Sequence, residues 1–465
     1  MNPRTNTEHG SIVLLSCYES GHQPLNLAWP LAVLKEAGLS AQAVDLAVEE
    51  FPSETISTAA FVGISVPMHT ALRLGVQVAE RVRSINPDVH ICFYGLYAWL
   101  NKDYLLEQYA DSIIAGESEQ PLLELVQTLG RGGDVDHIPA VSTQFTNSTP
   151  NLARPSLPIP DRIPLPPLEN YAHYTSREAD TLAGYVESSR GCLHTCAHCP
   201  VVPVYNGRFF VIPLETVLAD VRQQVAAGAE HITFGDPDFL NGPGHALKIA
   251  RALHAEFPLL SFDFTAKVEH IVKHRELFPE FAQLGCTFIT SAFESTRAHI
   301  LNRLGKGHTL NDMHTAINIL AEAGIAVQPT WMPFTPWTSL EDYLHLLAWI
   351  RSHNLIYHVP AVQLSIRMLV PPNSALLDHP DVDSWLGPID AANFTYRWEH
   401  PDARMDELQM QVAALAESHS DGDALAGFSA IESLANQYAG IITEARPIPL
   451  TALFAPPRLS EDWFC

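Results

Sequence analysis

Positive charge is scarce in this chain. Its 465 residues carry 27 Lys and Arg against 52 Asp and Glu, a formal net charge of −25. A surface of that sign repels nucleic acid and anionic lipid, so no nucleic acid and no membrane is expected as partner. Long apolar runs are missing as well. None reaches the roughly 18–20 residues of a membrane helix, and "MNPRTNTEHG" has no apolar core of a secretory leader, so a cytoplasmic location is expected. Cysteine is sparse: there are seven, and outside one cluster Cys17, Cys92, Cys286 and Cys465 have no framework spacing. This excludes a disulfide scaffold and turns attention to metal. No internal repeat or low-complexity tract stands out apart from one proline-rich stretch.

What is present is enough apolar material, 47% of residues, for two or three cores. In the first third, short apolar runs alternate with helical periodicity. Strands are expected at 12–15, 40–46, 59–67, 89–98 and 111–119, with helices at 25–37 and 70–85. That order predicts a doubly wound, Rossmann-like α/β domain over residues 1–145. Its ligand edge, outside the strand C-terminal ends, would carry residues 17–22, 65–69, 95–99 and 116–119. Residues 146–171 are dense in proline and read as an extended, semi-rigid linker. From 172 to 383 a β-then-α unit recurs six times, which predicts a partial (β/α)6 barrel with its chemistry at the strand C-terminal ends. Residues 384–465 read as a small, mostly helical C-terminal region.

The chemistry-bearing stretch is "RGCLHTCAHCP", residues 190–200, at the end of the first barrel strand. Cys192, Cys196 and Cys199 follow C-x3-C-x2-C spacing. Thiolates are soft ligands that favour iron–sulfur clusters, zinc or copper(I). A structural zinc site needs four ligands, for which His194 or His198 could supply the fourth. Three thiols on one loop with no downstream pair fit better a cubane cluster that keeps one iron open.

This motif resembles the radical S-adenosylmethionine (SAM) superfamily, whose partial barrel agrees with the β/α series. The resemblance implies that Cys192, Cys196 and Cys199 hold a [4Fe–4S] cluster. Its open iron would chelate SAM, and an electron donor such as flavodoxin or ferredoxin would drive reductive cleavage. It assigns other positions too. His198, where an aromatic residue is usual, would lie near the adenine. Gly235 and Asp236 in "FGDPDF" would meet the SAM amino group. Glu294 in "SAFES" would meet the ribose or methionyl end, and Met332, Pro333 and Phe334 would line the adenine. Several have a plainer reading: a capping turn for Asp236 and Asp238, a salt bridge from Glu294 to Arg297 or Arg303, and core packing for Met332, Pro333 and Phe334. Lys267 and Arg367 could face the same mouth or pair on the surface.

A doubly wound domain ahead of such a barrel resembles the cobalamin-binding class of the superfamily and implies cobalamin as a further cofactor. The Asp-x-His-x-x-Gly cobalt-ligand motif is absent, and His22 and His69 read more naturally as turn or cap histidines. The chain ends on Cys465, which resembles the start of the Cys-Sec-Ala-Glu-Pro or Cys-Cys-Ala-Glu-Pro tail of a subset of these proteins. That implies an in-frame UGA codon at which a selenoprotein is cut short. The expected function is a radical SAM transferase that moves a methyl group or carbon fragment onto a small molecule, or onto a metalloid or chalcogen held by the tail. The alternatives are a metal- or metalloid-binding protein with a structural cluster, and a tRNA-modifying radical SAM enzyme.

Overall fold

The computed structural model describes residues 11–420, 423–442 and 455–461. The first sheet is built from β1 (Ser11–Ser16), β2 (Ala41–Asp45), β3 (Ala59–Ser65), β4 (His90–Tyr94), β5 (Ser112–Ile114) and β6 (Val141–Ser142), in the order β2-β1-β3-β4-β5-β6. The first five are parallel, and β6 adds antiparallel to β5. Both faces are covered, so β1 is apolar from Ile12 to Leu15. Ile12 and Leu14 join the core that includes helix Leu25–Glu36, while Val13 and Leu15 join the one that includes helix His69–Ile85. The strand order reverses between β1 and β3, and in such sheets that switch point is where ligands bind.

The second sheet comprises β7 (His173–Thr175) and β8 (Asp180–Val186), then, beyond a small antiparallel pair β9 (Ser189–Gly191) and β10 (Phe209–Val211), β11 (His231–Phe234), β12 (Ser261–Thr265), β13 (Cys286–Glu294) and β14 (Ala326–Trp331). A hairpin β15 (Leu386–Asp390) and β16 (Thr395–Trp398) follows, and β17 (Arg458–Leu459) returns to the sheet, whose order is β14-β13-β12-β11-β8-β7-β17. Strands β8 and β11 to β14 are parallel, and they curl into a nearly closed barrel. The backbone of Pro457, next to β17, accepts a hydrogen bond from Gln328 of β14 at 2.8 Å, so this segment spans the lateral opening.

The sixth expected strand is a correction. Around 362–372 the chain forms a 3-10 turn, Ala361–Leu364, and then one parallel bridge between Phe334 and Arg367. The reason lies in β14. Pro329 has no N–H to offer a further strand, and the Trp331 N–H is taken by the Gln363 side chain at 3.0 Å.

The proline-rich stretch is extended but not a free spacer. Leu165 and Leu168 are buried in the core that runs from helix Leu25–Glu36 to helix Leu214–Ala226. Arg162 is buried too. It pairs with Asp220 at 2.8 Å and donates to the backbone oxygens of Gln23 and Tyr185. The C-terminal helices Ala403–Ser418 and Ala424–Tyr438 pack onto the same core through Leu408, Val412, Phe428 and Ile431. Among the described residues no helix is long and apolar enough to cross a membrane.

Candidate functional site

The cysteine loop leaves β9 and returns at β10, an excursion closed at its base by antiparallel pairing. Gly191 makes the turn possible. Its φ is +75°, and a Cβ there would collide with the Arg208 carbonyl. Two apolar clusters hold the loop. Cys192, Val201, Val204 and Tyr205 pack together with Leu96, Trp99 and Cys199, while Ala197 packs with Ile300, Leu304 and Met332. The Ala197 N–H donates to the Leu304 carbonyl at 2.9 Å. Asn241 reaches the loop from the other side and accepts from the Leu193 N–H at 3.2 Å. Cys192 and Cys196 are buried and Cys199 is half-buried. Burial pushes the Cys199 thiol up to about 12, with Cys196 and Cys192 adding to the rise and Lys306 opposing it. A soft cation would convert these crowded thiols to thiolates, so the donor set fits an iron–sulfur cluster.

Beneath the loop lies a buried ionic group. Glu294 ends β13 in the left-handed region, φ +63°, a costly conformation for a non-glycine residue. Its Oε1 accepts from Lys306 Nζ at 3.1 Å and contacts His198 Nε2 at 3.2 Å. Burial alone would raise this carboxyl, but Lys306 and His198 hold it down to about 2. The expected partners are corrected: Arg297 pairs with Glu341 and Asp342, and Arg303 with Asp381. Lys306 was missed. Its only sequence signal is its place between Gly305 and Gly307 after a short helix, Ala298–Arg303. His198 stands against Glu294, and its Nδ1 is buried without a hydrogen-bond partner.

At the end of β11, Gly235 leaves room for the Tyr185 side chain, with which a Cβ would clash. Both oxygens of Asp236 are engaged at the start of the cysteine excursion: Ser188 donates through N–H at 3.0 Å and Oγ at 2.7 Å, and the Ser189 hydroxyl also donates. Burial pushes the Asp236 carboxyl up to about 7 against those hydrogen bonds. Asp238 caps the Phe239–Asn241 turn through the Leu240 N–H, the plainer of its two readings. His194 contacts His270 and Asp238 rather than a cysteine-bound ligand position. Met332 lies beside the loop with Ala197, Pro333 is buried, and Phe334 packs on Tyr343. Lys267 pairs with Glu269 at 3.5 Å. Arg367 takes the second of its two readings: it pairs with Asp406 at 2.6 Å and stacks on Trp398.

The four expected edge segments of the first sheet divide into two pairs. Leu96 and Trp99 pack on the cysteine loop, and Glu117 and Glu119 both bind Arg190, the residue before Gly191, at 2.7 and 2.6 Å. These segments dock on the cysteine loop and on Arg190. The other two segments, at the β1/β3 switch point, line a cavity of about 1300 Å³ including its open mouth. Glu19, Ser20, His22, Pro67 and Met68 form one wall; Tyr185, Thr233, Asp263, Thr290 and Gln328 of the barrel interior form the other. Asp236 also lines it, which joins the cavity to the cysteine loop. His22 is stacked on Tyr185 at 4.3 Å, and burial pushes it down to about 3, with His231 adding to the fall. His69 contacts the Asn393 carbonyl at 2.9 Å. Cys465 lies outside the described residues, and its selenocysteine reading finds no support in the relatives named below.

Residues 186–348 match the model of the radical SAM superfamily. Hopanoid C-3 methylase of Methylococcus capsulatus is 24% identical over 222 residues, 48% of this chain and 42% of that protein. The chain spans about half the length of the curated relatives it matches. The cobalamin-dependent SAM radical enzyme OxsB, solved with aqua-cobalamin bound, superposes with a TM-score of 0.69 at 16% identity, over 92% of this chain and 72% of that one. The radical SAM methyltransferase TsrM from Kitasatospora setae, solved with cobalamin and a [4Fe–4S] cluster, gives 0.58 at 16% identity, over 74% and 70%. At that identity the two structures speak to fold alone.

Proposed function

We propose that this chain, a radical SAM protein by its 186–348 domain, is a cobalamin-dependent radical SAM transferase acting on a small molecule. The observation that carries the reading is the placing of the three-thiol loop. It stands at the C-terminal end of the first barrel strand, above the buried Glu294–Lys306 pair. A cavity joins the barrel interior to the switch point of the first sheet. Cys192, Cys196 and Cys199 are the proposed cluster ligands. A [4Fe–4S] cluster with one open iron supplies, when bound, the electron that cleaves the sulfonium C–S bond of SAM. A corrinoid at the Glu19–His22 and Pro67–Met68 wall would supply a methyl carrier.

The chain's own residues then have distinct tasks. Glu294, ionised well below neutral pH, is set to hold the ribose or methionyl end of SAM. Its positive φ aims the carboxylate under the loop instead of along the strand. Asp236 orients Ser188 and Ser189 and so sets the angle at which the loop leaves the barrel; Gly235 lets the backbone pass beneath Tyr185. His198, Met332 and Pro333 form the flat and apolar surface proposed for the adenine. An electron donor of the flavodoxin or ferredoxin kind and a cytoplasmic location belong to the same reading. So does a division of the chain at 1–145, 146–171, 172–383 and 384–465.

The test is anaerobic reconstitution of the full chain with iron, sulfide and hydroxocobalamin. SAM and dithionite are then added, with mass spectrometry for 5′-deoxyadenosine, methylthioadenosine and S-adenosylhomocysteine. Formation of any of these, abolished in Cys196→Ala, supports an enzyme. Their absence from a protein that carries its full cluster would leave only a metal-binding role.

A further inference from the structure

A second group of ligand-type side chains lies against the cysteine loop. His194 projects from that loop, Asp238 from the turn after β11, and His270 from helix Val268–Lys273 after β12. One ligand atom from each falls within 4.8 Å of the others. Nε2 of His194 stands 3.2 Å from Nε2 of His270. Asp238 Oδ2 is 2.9 Å from His270 Nδ1 and 3.9 Å from His194 Nε2.

Two neutral imidazoles at that distance can share one proton in an N–H···N hydrogen bond. The same separation is that of two ligands around one ion. Nitrogens about 2.0–2.1 Å from zinc at a tetrahedral angle lie about 3.3 Å apart. The His270–Asp238 contact has hydrogen-bond distance, yet His270 Nδ1 is buried with no hydrogen-bond partner. The surroundings orient the carboxylate as an outer shell would: Leu240 N–H donates to Oδ1 at 2.9 Å and Lys267 N–H to Oδ2 at 3.2 Å. Asp238 and His270 are buried, while the His194 side chain keeps 16% of its surface, so one side stays open to solvent. The nearby Lys267 ammonium is matched by Glu269, 3.5 Å away, and Glu269 also lies 3.8 Å from His194 Nδ1. Asp238 is then the carboxylate that faces the two imidazoles.

We propose that His194, Asp238 and His270 form a mononuclear site for a divalent first-row transition ion, separate from the thiol site and with an open coordination position. Two imidazoles and one carboxylate suit zinc or ferrous iron and disfavour magnesium and calcium. The ion would tie the middle of the cysteine loop to the ends of β11 and β12.

Zinc alone serves as the probe. Anaerobically reconstituted full-length protein is equilibrated with a small excess of Zn²⁺ and desalted. Zinc and iron are then counted by mass spectrometry, and the zinc shell is read by X-ray absorption. The expected result is about one zinc per chain beside the cluster iron, in a nitrogen and oxygen shell with imidazole scattering. Zinc should fall about tenfold or more in His270→Ala and in His194→Ala. It should persist in the C192A/C196A/C199A triple variant. His194→Ala, on a partly exposed loop position, carries the test if His270→Ala fails to fold. A wild-type protein without zinc, a sulfur shell, loss of zinc in the triple variant, or full zinc in both histidine variants would overturn the site.

Discussion

Glu294 and Lys306 show how one pair of residues can set both stability and site chemistry. The pair is buried, with side-chain exposures of 8% and 3%, and removing Lys306 leaves the Glu294 carboxylate buried with only the His198 contact. Lys306→Met is therefore expected to cost about 3–5 kcal/mol at neutral pH in urea unfolding, with Glu294→Gln/Lys306→Met recovering part of it. The pH dependence has a defined sign. Glu294 titrates at about 2 against an ordinary 4.5. Its contribution is complete above pH 4.5 and is lost as the pH falls through about 2. Glu294→Gln should flatten the stability profile in that acid window. A profile unchanged by the substitution would refute the assignment. Glu294 was legible in the sequence as a carboxylate amid apolar neighbours. Its partner was not: the nearer arginines compete on paper, and only the path of the intervening helix turns them outward and Lys306 in.

At the scale of elements, the cysteine excursion depends on its hairpin base. Gly191→Ala puts a Cβ into the Arg208 carbonyl at a positive φ. The excursion should no longer close, and reconstituted iron per chain should fall by about half or more while far-ultraviolet circular dichroism is retained, because the strain is local. Full iron loading in that variant would show that the loop closes by another route. Strands β1 to β5, β8 and β11 to β14, and helices Leu25–Glu36 and His69–Ile85, were readable from apolar runs and periodicity, whereas the short strands β6, β9 and β10 were not, because two or three residues carry no period. The sixth strand misled because "VQLSIRMLV" alternates as a strand does, whereas pairing depends on what the neighbour offers. Pro329 and the occupied Trp331 N–H left no ladder to join. The linker misled for a related reason: proline density reports an extended backbone but not what it rests on, and Arg162 buries itself in a pocket made by three other segments.

For the whole molecule, Arg190 is the tie between the two sheets. It binds Glu117 and Glu119 of the first sheet's edge and Glu187 beside the barrel, while the Tyr205 hydroxyl donates to Glu117 at 2.6 Å. Arg190→Met leaves these carboxylates buried without a cation, and burial already raises Glu117. The loss of stability should be about 3–5 kcal/mol at pH 7.5 and smaller at pH 5.5, where protonation relieves the charge. Urea midpoints at the two pH values check this, and an equal loss at both would count against the tie. The net charge of −25 makes a second expectation: filter binding at about 0.15 M salt should retain no tRNA. Salt-sensitive retention would favour the tRNA-modifying alternative. The sequence by itself determined the alternation of strands and helices, the three-thiol loop after a strand, and the sign of the surface, because these rest on local periodicity, spacing and composition. The tertiary structure decided which carboxylates face which cations, which sheet edges dock and which stay open, and that His194 turns toward Asp238 and His270. Those choices depend on segments far apart in the chain meeting in one buried space, where every charge must find a partner.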